Sequence, residues 1–200
     1  MHCGAAVGTA QLTLRADIIT TAAHVLIGPD GRPRGGSCTF EPTIGASGAV
    51  AINLNSIRTG STMPLSQPAI RDWGVARLVA PIEGAIPYRL AASGANPNAL
   101  TMCAGGNGRA DRMGLEHCAA RRVIGTSDGI REIAIDCSAA PGASGGALLD
   151  AGYRVFAIYV GYRSASPDKP QPFLTTHYNF AITVDGPFRR ALLAAAAARR

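Results

Sequence analysis

The sequence predicts an all-β protein, a barrel or a sandwich, followed by one short C-terminal helix. Three observations carry this reading. Apolar or alternating runs are short and numerous, turn-forming clusters separate them, and outside the C-terminus no long 3.6-residue periodicity appears. In chain order the candidate strands are "AQLTL", "DIITTAAHVLI", "GAVAINL" and "WGVARLV", then "ALTMCAG", "CAARRVIG", "REIAIDC", "GALLD", "YRVFAIYVGY" and "HYNFAITV". Between them stand "GPDGRPRGG", "TGSTMPLSQP", "GANPN", "GGNGRADRMG", "TSDG" and "RSASPDKPQP", rich in the residues that supply turn dihedrals or side-chain turn bonds. The one helix runs from Pro187 to about Ala198, with proline early and leucines inside. A break near Glu83–Pro97 divides the chain into two comparable halves, and no internal repeat of fixed period is visible.

Composition bounds the function. The chain has 200 residues, 47% of them hydrophobic and 16% charged, which reads as a globular domain with a real core. No window reaches the roughly 18 uninterrupted apolar residues of a membrane span. The net charge of +6 is almost wholly arginine, since Lys169 is the lone lysine. The arginines are scattered without interleaved aromatics, so a generally basic solvated surface is expected rather than a nucleic-acid interface. Five cysteines without a CxxC pair argue for one or two disulfides in an oxidising compartment, and against a zinc site. The start "MHCGAAVGTAQ" carries no secretory signal, so either a signal has been removed or the true start lies upstream. The alternative for the cysteines is five small buried thiols.

Candidate chemistry begins at "PGASGGALLD", where Ser144 stands among three glycines before an apolar run. Glycines there make a plain turn, or keep side chains away from backbone N–H groups that have work to do. A serine hydroxyl is a weak nucleophile that needs an adjacent base. Of four histidines, His2 is terminal and expected to fray, and His117 adjoins Cys118 as a surface or hairpin residue. His24 ends "DIITTAAHVL", an apolar strand running into small residues. Asp72 lies 48 residues on, heading "DWGVARLV", either as a turn residue or as the carboxylate that holds an imidazole tautomer.

In the order His24, Asp72, Ser144, the boxes "TAAH", "DWGVARL" and "APGASGGAL" resemble those of the trypsin/chymotrypsin-like serine peptidases, in the form of a compact bacterial member. The resemblance runs from about Gly8 to the C-terminal helix. It implies two six-stranded antiparallel β-barrels, approximately residues 1–85 and 98–186, then the helix at 187–198. It also implies a serine endopeptidase working without metal or cofactor. Ser144 would be the nucleophile, His24 the general base and Asp72 its orienter, while the N–H groups of Gly142 and Ser144 receive the oxyanion. Ser138 would floor the specificity pocket, with Tyr159, Gly161 and Tyr162 at its edge and Tyr178 and Asn179 at its back. No acid stands at Ser138, so cleavage after Arg or Lys is disfavoured; His177 is a candidate for contact with an acidic side chain. The resemblance further implies a Cys118–Cys137 bond, with Cys3–Cys38 as a second pairing and Cys103 left over. A monomer secreted or held in the periplasm, acting on polypeptides and not on nucleic acid or membrane, completes the expectation.

The chain departs from the family in three places. Ala143 replaces the aspartate that in animal members receives a new N-terminus, so that activation switch is not expected. Val25 replaces a cysteine after the histidine, and little chain precedes Gly8 to make a first barrel strand. Two other readings stay open. "GASGG" also fits the G-x-S-x-G elbow of an α/β-hydrolase esterase using Ser144, Asp168 and His177, although such a sheet needs helices between its strands. A catalytically silent barrel used for binding is the third.

Overall fold

The computed structural model describes residues 1–43, 48–106, 109–167 and 171–198. The fold is nearly all-β. The first half contains β1 (His2–Cys3), β2 (Ala6–Val7), β3 (Gln11–Leu12), β4 (Ile18–Thr21), β5 (Cys38–Phe40), β6 (Val50–Thr59) and β7 (Gly74–Leu78). A four-residue helix α1 (Ala23–Leu26) follows β4, and a 3₁₀ turn (Ala69–Arg71) precedes β7. The second half contains β8 (Ala99–Gly106), β9 (Arg109–Ser127), β10 (Ile130–Ile135), β11 (Ala147–Leu149), β12 (Val155–Ser164) and β13 (His177–Thr183), then α2 (Gly186–Ala197).

The second half closes into a six-stranded antiparallel barrel in the order β10-β13-β12-β11-β8-β9. The first half is a seven-stranded sheet, β2-β1-β5-β6-β7-β4-β3, that stops short of a ladder between its end strands. Gly8 still pairs with Met1 through two hydrogen bonds, and closure would require Thr9 and Ala10 to stay in the sheet as well. Instead the Thr9 N–H donates across to the Ser144 carbonyl at 2.8 Å, and the seam is diverted to the second half. His2, expected to fray, is paired with Thr39 in β1, one residue before the Cys3–Cys38 disulfide. The segment from Arg109, read in the sequence as part of a turn, belongs to the long arm of the β8–β9 hairpin. Its Gly and Asp residues signal a turn locally, but cross-strand pairing with β8 overrides them.

Period-two alternation sorts the barrel strands onto two cores. Ile133, Ile135, Ala157, Tyr159, Ala181, Leu148, Leu100 and Met102 fill the barrel. Their neighbours Ala134, Ile158 and Ile182 face outward onto Ile18, Trp73, Val75 and the α2 residues Phe188 and Leu192. A separate core of Leu12, Ile19, Leu26, Phe40, Ile52 and Leu78 fills the first half.

Helix α2 joins the halves. Pro187 suits its first turn, where a missing N–H costs nothing. The Phe188 ring stacks on Trp73 at a 5.1 Å centroid distance and 9° between planes. At the other end, Arg77 of β7 donates to the Ala195 carbonyl and Arg15 to the Ala196 carbonyl, cations at the negative pole of a helix. Both arginines also hold Asp17, which is buried. Burial pushes the Asp17 carboxyl up, but the hydrogen bonds and charges of Arg15 and Arg77 outweigh it and hold it below the usual aspartate range.

Candidate active site

His24 is the second residue of α1, directly after the buried strand β4, and its main chain is fixed from two sides. Its N–H donates to Asp72 Oδ1 at 2.8 Å, and its carbonyl accepts from Arg34 Nε at 2.7 Å. The ring then lies with Nδ1 2.7 Å from Asp72 Oδ2. Asp72 is 4% exposed and closes the 3₁₀ turn just before β7. With both carboxylate oxygens taken by one residue, the tautomer that carries its proton on Nδ1 is favoured, leaving Nε2 as the basic nitrogen.

Ser144 sits on the second half, in the turn between β10 and β11. Ala140–Ala143 is closed by an Ala143 N–H bond to the Ala140 carbonyl at 3.0 Å. Pro141 and Gly142 occupy the central positions, and Gly142 has φ +96°, the dihedral a type II turn needs at its third residue. Among the described residues no acceptor takes the N–H of Gly142 or of Ser144, so two donors stand free beside the hydroxyl. Gly145 answers a different need. At φ +87°, a Cβ there would lie 2.1 Å from Thr21 Oγ1 and 2.2 Å from the Thr9 carbonyl. The glycine lets the serine turn close against the first half. Ser144 Oγ itself donates to the Val160 carbonyl at 3.5 Å, a long bond that a change of rotamer releases.

Thr9 fastens this turn. Its Oγ1 donates to the Gly142 carbonyl at 2.7 Å and accepts from the Gly105 N–H at 2.8 Å, while Thr21 Oγ1 donates to its carbonyl at 2.7 Å. Nothing in "GTAQLTL" singles Thr9 out, because the partners of its hydroxyl, Gly105 and Gly142, lie 96 and 133 positions away.

Beside Ser144 opens a cleft of about 690 Å³ whose lining includes Ser138, Tyr159, Gly161, Tyr162 and Tyr178 together with His177 and Asn179. Tyr159 is buried, and its hydroxyl lies 3.0 Å from Asn179 Oδ1; Asn179 Nδ2 donates to the Cys137 carbonyl at 2.6 Å. Burial, with the nearby Tyr162 second, pushes the Tyr159 phenol well above the usual tyrosine range, so it keeps its proton. Tyr178 is buried with its ring under the Arg122 guanidinium at 5.2 Å, an arrangement its strand position alone does not signal. His177 Nδ1 lies 2.8 Å from Ser164 Oγ, and Asp168, its partner in the esterase reading, falls outside the described residues.

Two carboxylates near the cleft escaped the sequence reading. Asp136 in the lining accepts the Ala119 N–H at 2.6 Å and two bonds from Arg121. Glu116 of β9 accepts the Ser138 N–H at 2.9 Å with each oxygen. The Cys118–Cys137 and Cys3–Cys38 disulfides are both formed, and Cys103 is free and buried. No described helix is long and apolar enough to cross a membrane.

A half-closed and a fully closed antiparallel unit, with α2 stacked across them, make up the chymotrypsin-like fold of the trypsin/chymotrypsin-like serine peptidases. Solved structures with this fold include a Glu endopeptidase in complex with MPD, at TM-score 0.70 and 14% identity over 99% of this chain and 89% of that one. A thermostable serine protease, AL20, from an extremophilic microorganism superposes at TM-score 0.69 and 16% identity, over 96% and 91%. The HtrA-type protease AlgW with a decapeptide gives 0.63 and 16%, over 94% of this chain and half of that one. No protein-family model and no curated protein sequence matches the chain.

Proposed function

We propose that the protein is a serine endopeptidase. Two observations support this reading: the His24–Asp72 pair, ring Nδ1 to carboxylate at 2.7 Å, and a serine turn with two unpartnered N–H groups. Ser144 Oγ attacks the scissile carbonyl, and His24 Nε2 takes its proton and later gives it to the leaving amine. Asp72 holds the ring and stabilises the imidazolium. The N–H groups of Gly142 and Ser144 bind the oxyanion of the tetrahedral intermediate, where one such donor is worth roughly 10²–10³ in rate. The acyl-enzyme is then hydrolysed by water through the same base.

Fold likeness to proteases supports the class, and two disulfides fit secretion or a periplasmic location. Domain limits near residues 85 and 98 and a monomeric state belong to the same proposal. To test it, purified protein and its Ser144→Ala variant are incubated with a mixed peptide library and every cut is read by mass spectrometry. Cuts made by the wild type and absent with the variant are the expected result. Equal cutting by both proteins would overturn the assignment.

A further inference from the structure

We infer that the cleft beside Ser144 selects a neutral carboxamide side chain, glutamine above all, for the residue whose carbonyl is attacked. The inference rests on the peptidase reading and specifies its substrate class.

The polarity of the lining at Tyr159 and Asn179 follows from one group that has no choice. The Cys137 carbonyl has no proton, so the Asn179 atom 2.6 Å away must be the NH₂ group. That orientation turns Asn179 Oδ1 toward Tyr159, and an amide oxygen only accepts. The Tyr159 hydroxyl, 3.0 Å away, must therefore spend its single proton on Asn179. Toward a ligand the phenol oxygen then offers lone pairs alone. Asn179 retains a second amide proton, which takes no partner among the described residues. Tyr159 and Asn179, both in the lining, thus offer one acceptor and one donor as a bonded pair. A carboxamide is the common side-chain group with the reciprocal set, NH₂ for the phenol oxygen and C=O for the amide proton.

The charges nearby separate glutamine from its ionic relatives. Glutamate is the nearest rival, because His177 also lines the cleft with its Nδ1 on Ser164 Oγ, but its carboxylate would set lone pairs against the lone pairs of Tyr159, with the Glu116 carboxylate behind the main chain of Ser138. A lysine or arginine finds no free acid in the lining, because Asp136 is taken by Arg121 and the Ala119 N–H. Leucine or methionine would fit beside the apolar lining residues Ile135, Pro141 and Phe173 but leave Tyr159 and Asn179 unpaired.

The test uses peptides identical except at that one residue, carrying Gln, Glu, Met or Arg, each run with wild type and with Ser144→Ala as blank. The expected kcat/KM for Gln exceeds each of the others by about tenfold or more, the worth of one hydrogen bond that would otherwise be left unmade. Tyr159→Phe, which keeps the ring and loses only the oxygen, should shrink the Gln-to-Met ratio about tenfold. Asn179→Ala should shrink it as well, a second reading should the phenylalanine variant fold poorly. Ser144-dependent cleavage that prefers Glu, Met or Arg overturns this inference and leaves the peptidase standing. Absence of any Ser144-dependent cleavage overturns both.

Discussion

Asp72 receives two hydrogen bonds from a single residue, one from the main-chain N–H of His24 and one from its ring. The carboxylate therefore fixes both where the imidazole stands and how it is turned. Asn at position 72 can keep the place but presents an NH₂ group to one of the two partners. Asp72→Asn should lower kcat about 10⁴-fold with KM little changed, measured on any peptide the wild type cuts. Activity within tenfold of wild type would mean that His24 is not the base.

The Thr9 hydroxyl bridges the Gly142 carbonyl and the Gly105 N–H, tying the serine turn to the first half. Valine has nearly the same volume and no hydroxyl, so both groups would lose their partner. Thr9→Val should destabilise the fold by about 2 kcal/mol in denaturant titration and reduce kcat more than it raises KM. Unchanged kcat at that lowered stability would show that the turn holds its geometry without Thr9.

The Cys118–Cys137 bond closes a loop across β9 and β10 and anchors the carbonyl that orients Asn179. At a sequence separation of 19 residues, loop-closure entropy predicts a loss of about 3 kcal/mol when both cysteines become serine. Thermal denaturation of the double variant measures this directly. A Tm equal to that of wild type would contradict it.

The Asp17 carboxyl sits below its usual range because Arg15 and Arg77 outweigh the effect of burial. A depressed folded-state pKa contributes stability that is fully present above the unfolded value, about 3.9 for aspartate, and is lost as pH falls through the folded one. Stability measured by denaturant from pH 6 downward should fall on the acid side of pH 4. The Asp17→Asn variant should be less stable at neutral pH and flatter across that window. Parallel curves for the two proteins would place the acid lability elsewhere.

Alternation and punctuation settled much of the fold in advance, since strands with one face in a core repeat every second residue wherever they lie. The boxes around His24, Asp72 and Ser144 were likewise legible, because each keeps its chemistry within a few consecutive residues. Both short helical turns, at Ala23–Leu26 and Ala69–Arg71, were invisible to periodicity, being no longer than about one turn. The Gly-rich run around Ser144 was only half understood from sequence. Gly142 serves the turn, but Gly145 is small because Thr21 and Thr9 approach it from the other half of the chain.

Local pattern was enough for the all-β character and the C-terminal helix, and it put forward His24, Asp72 and Ser144 as candidates for catalysis. Only the folded molecule shows that the first sheet stays open at Thr9 and Ala10, that Glu116 stands behind Ser138, and that Asn179 sets the direction of the Tyr159 proton. Each of these depends on a hydrogen-bond partner far away in the chain. A polar group's partner is chosen by proximity in the folded molecule, and no pattern of neighbouring residues encodes it.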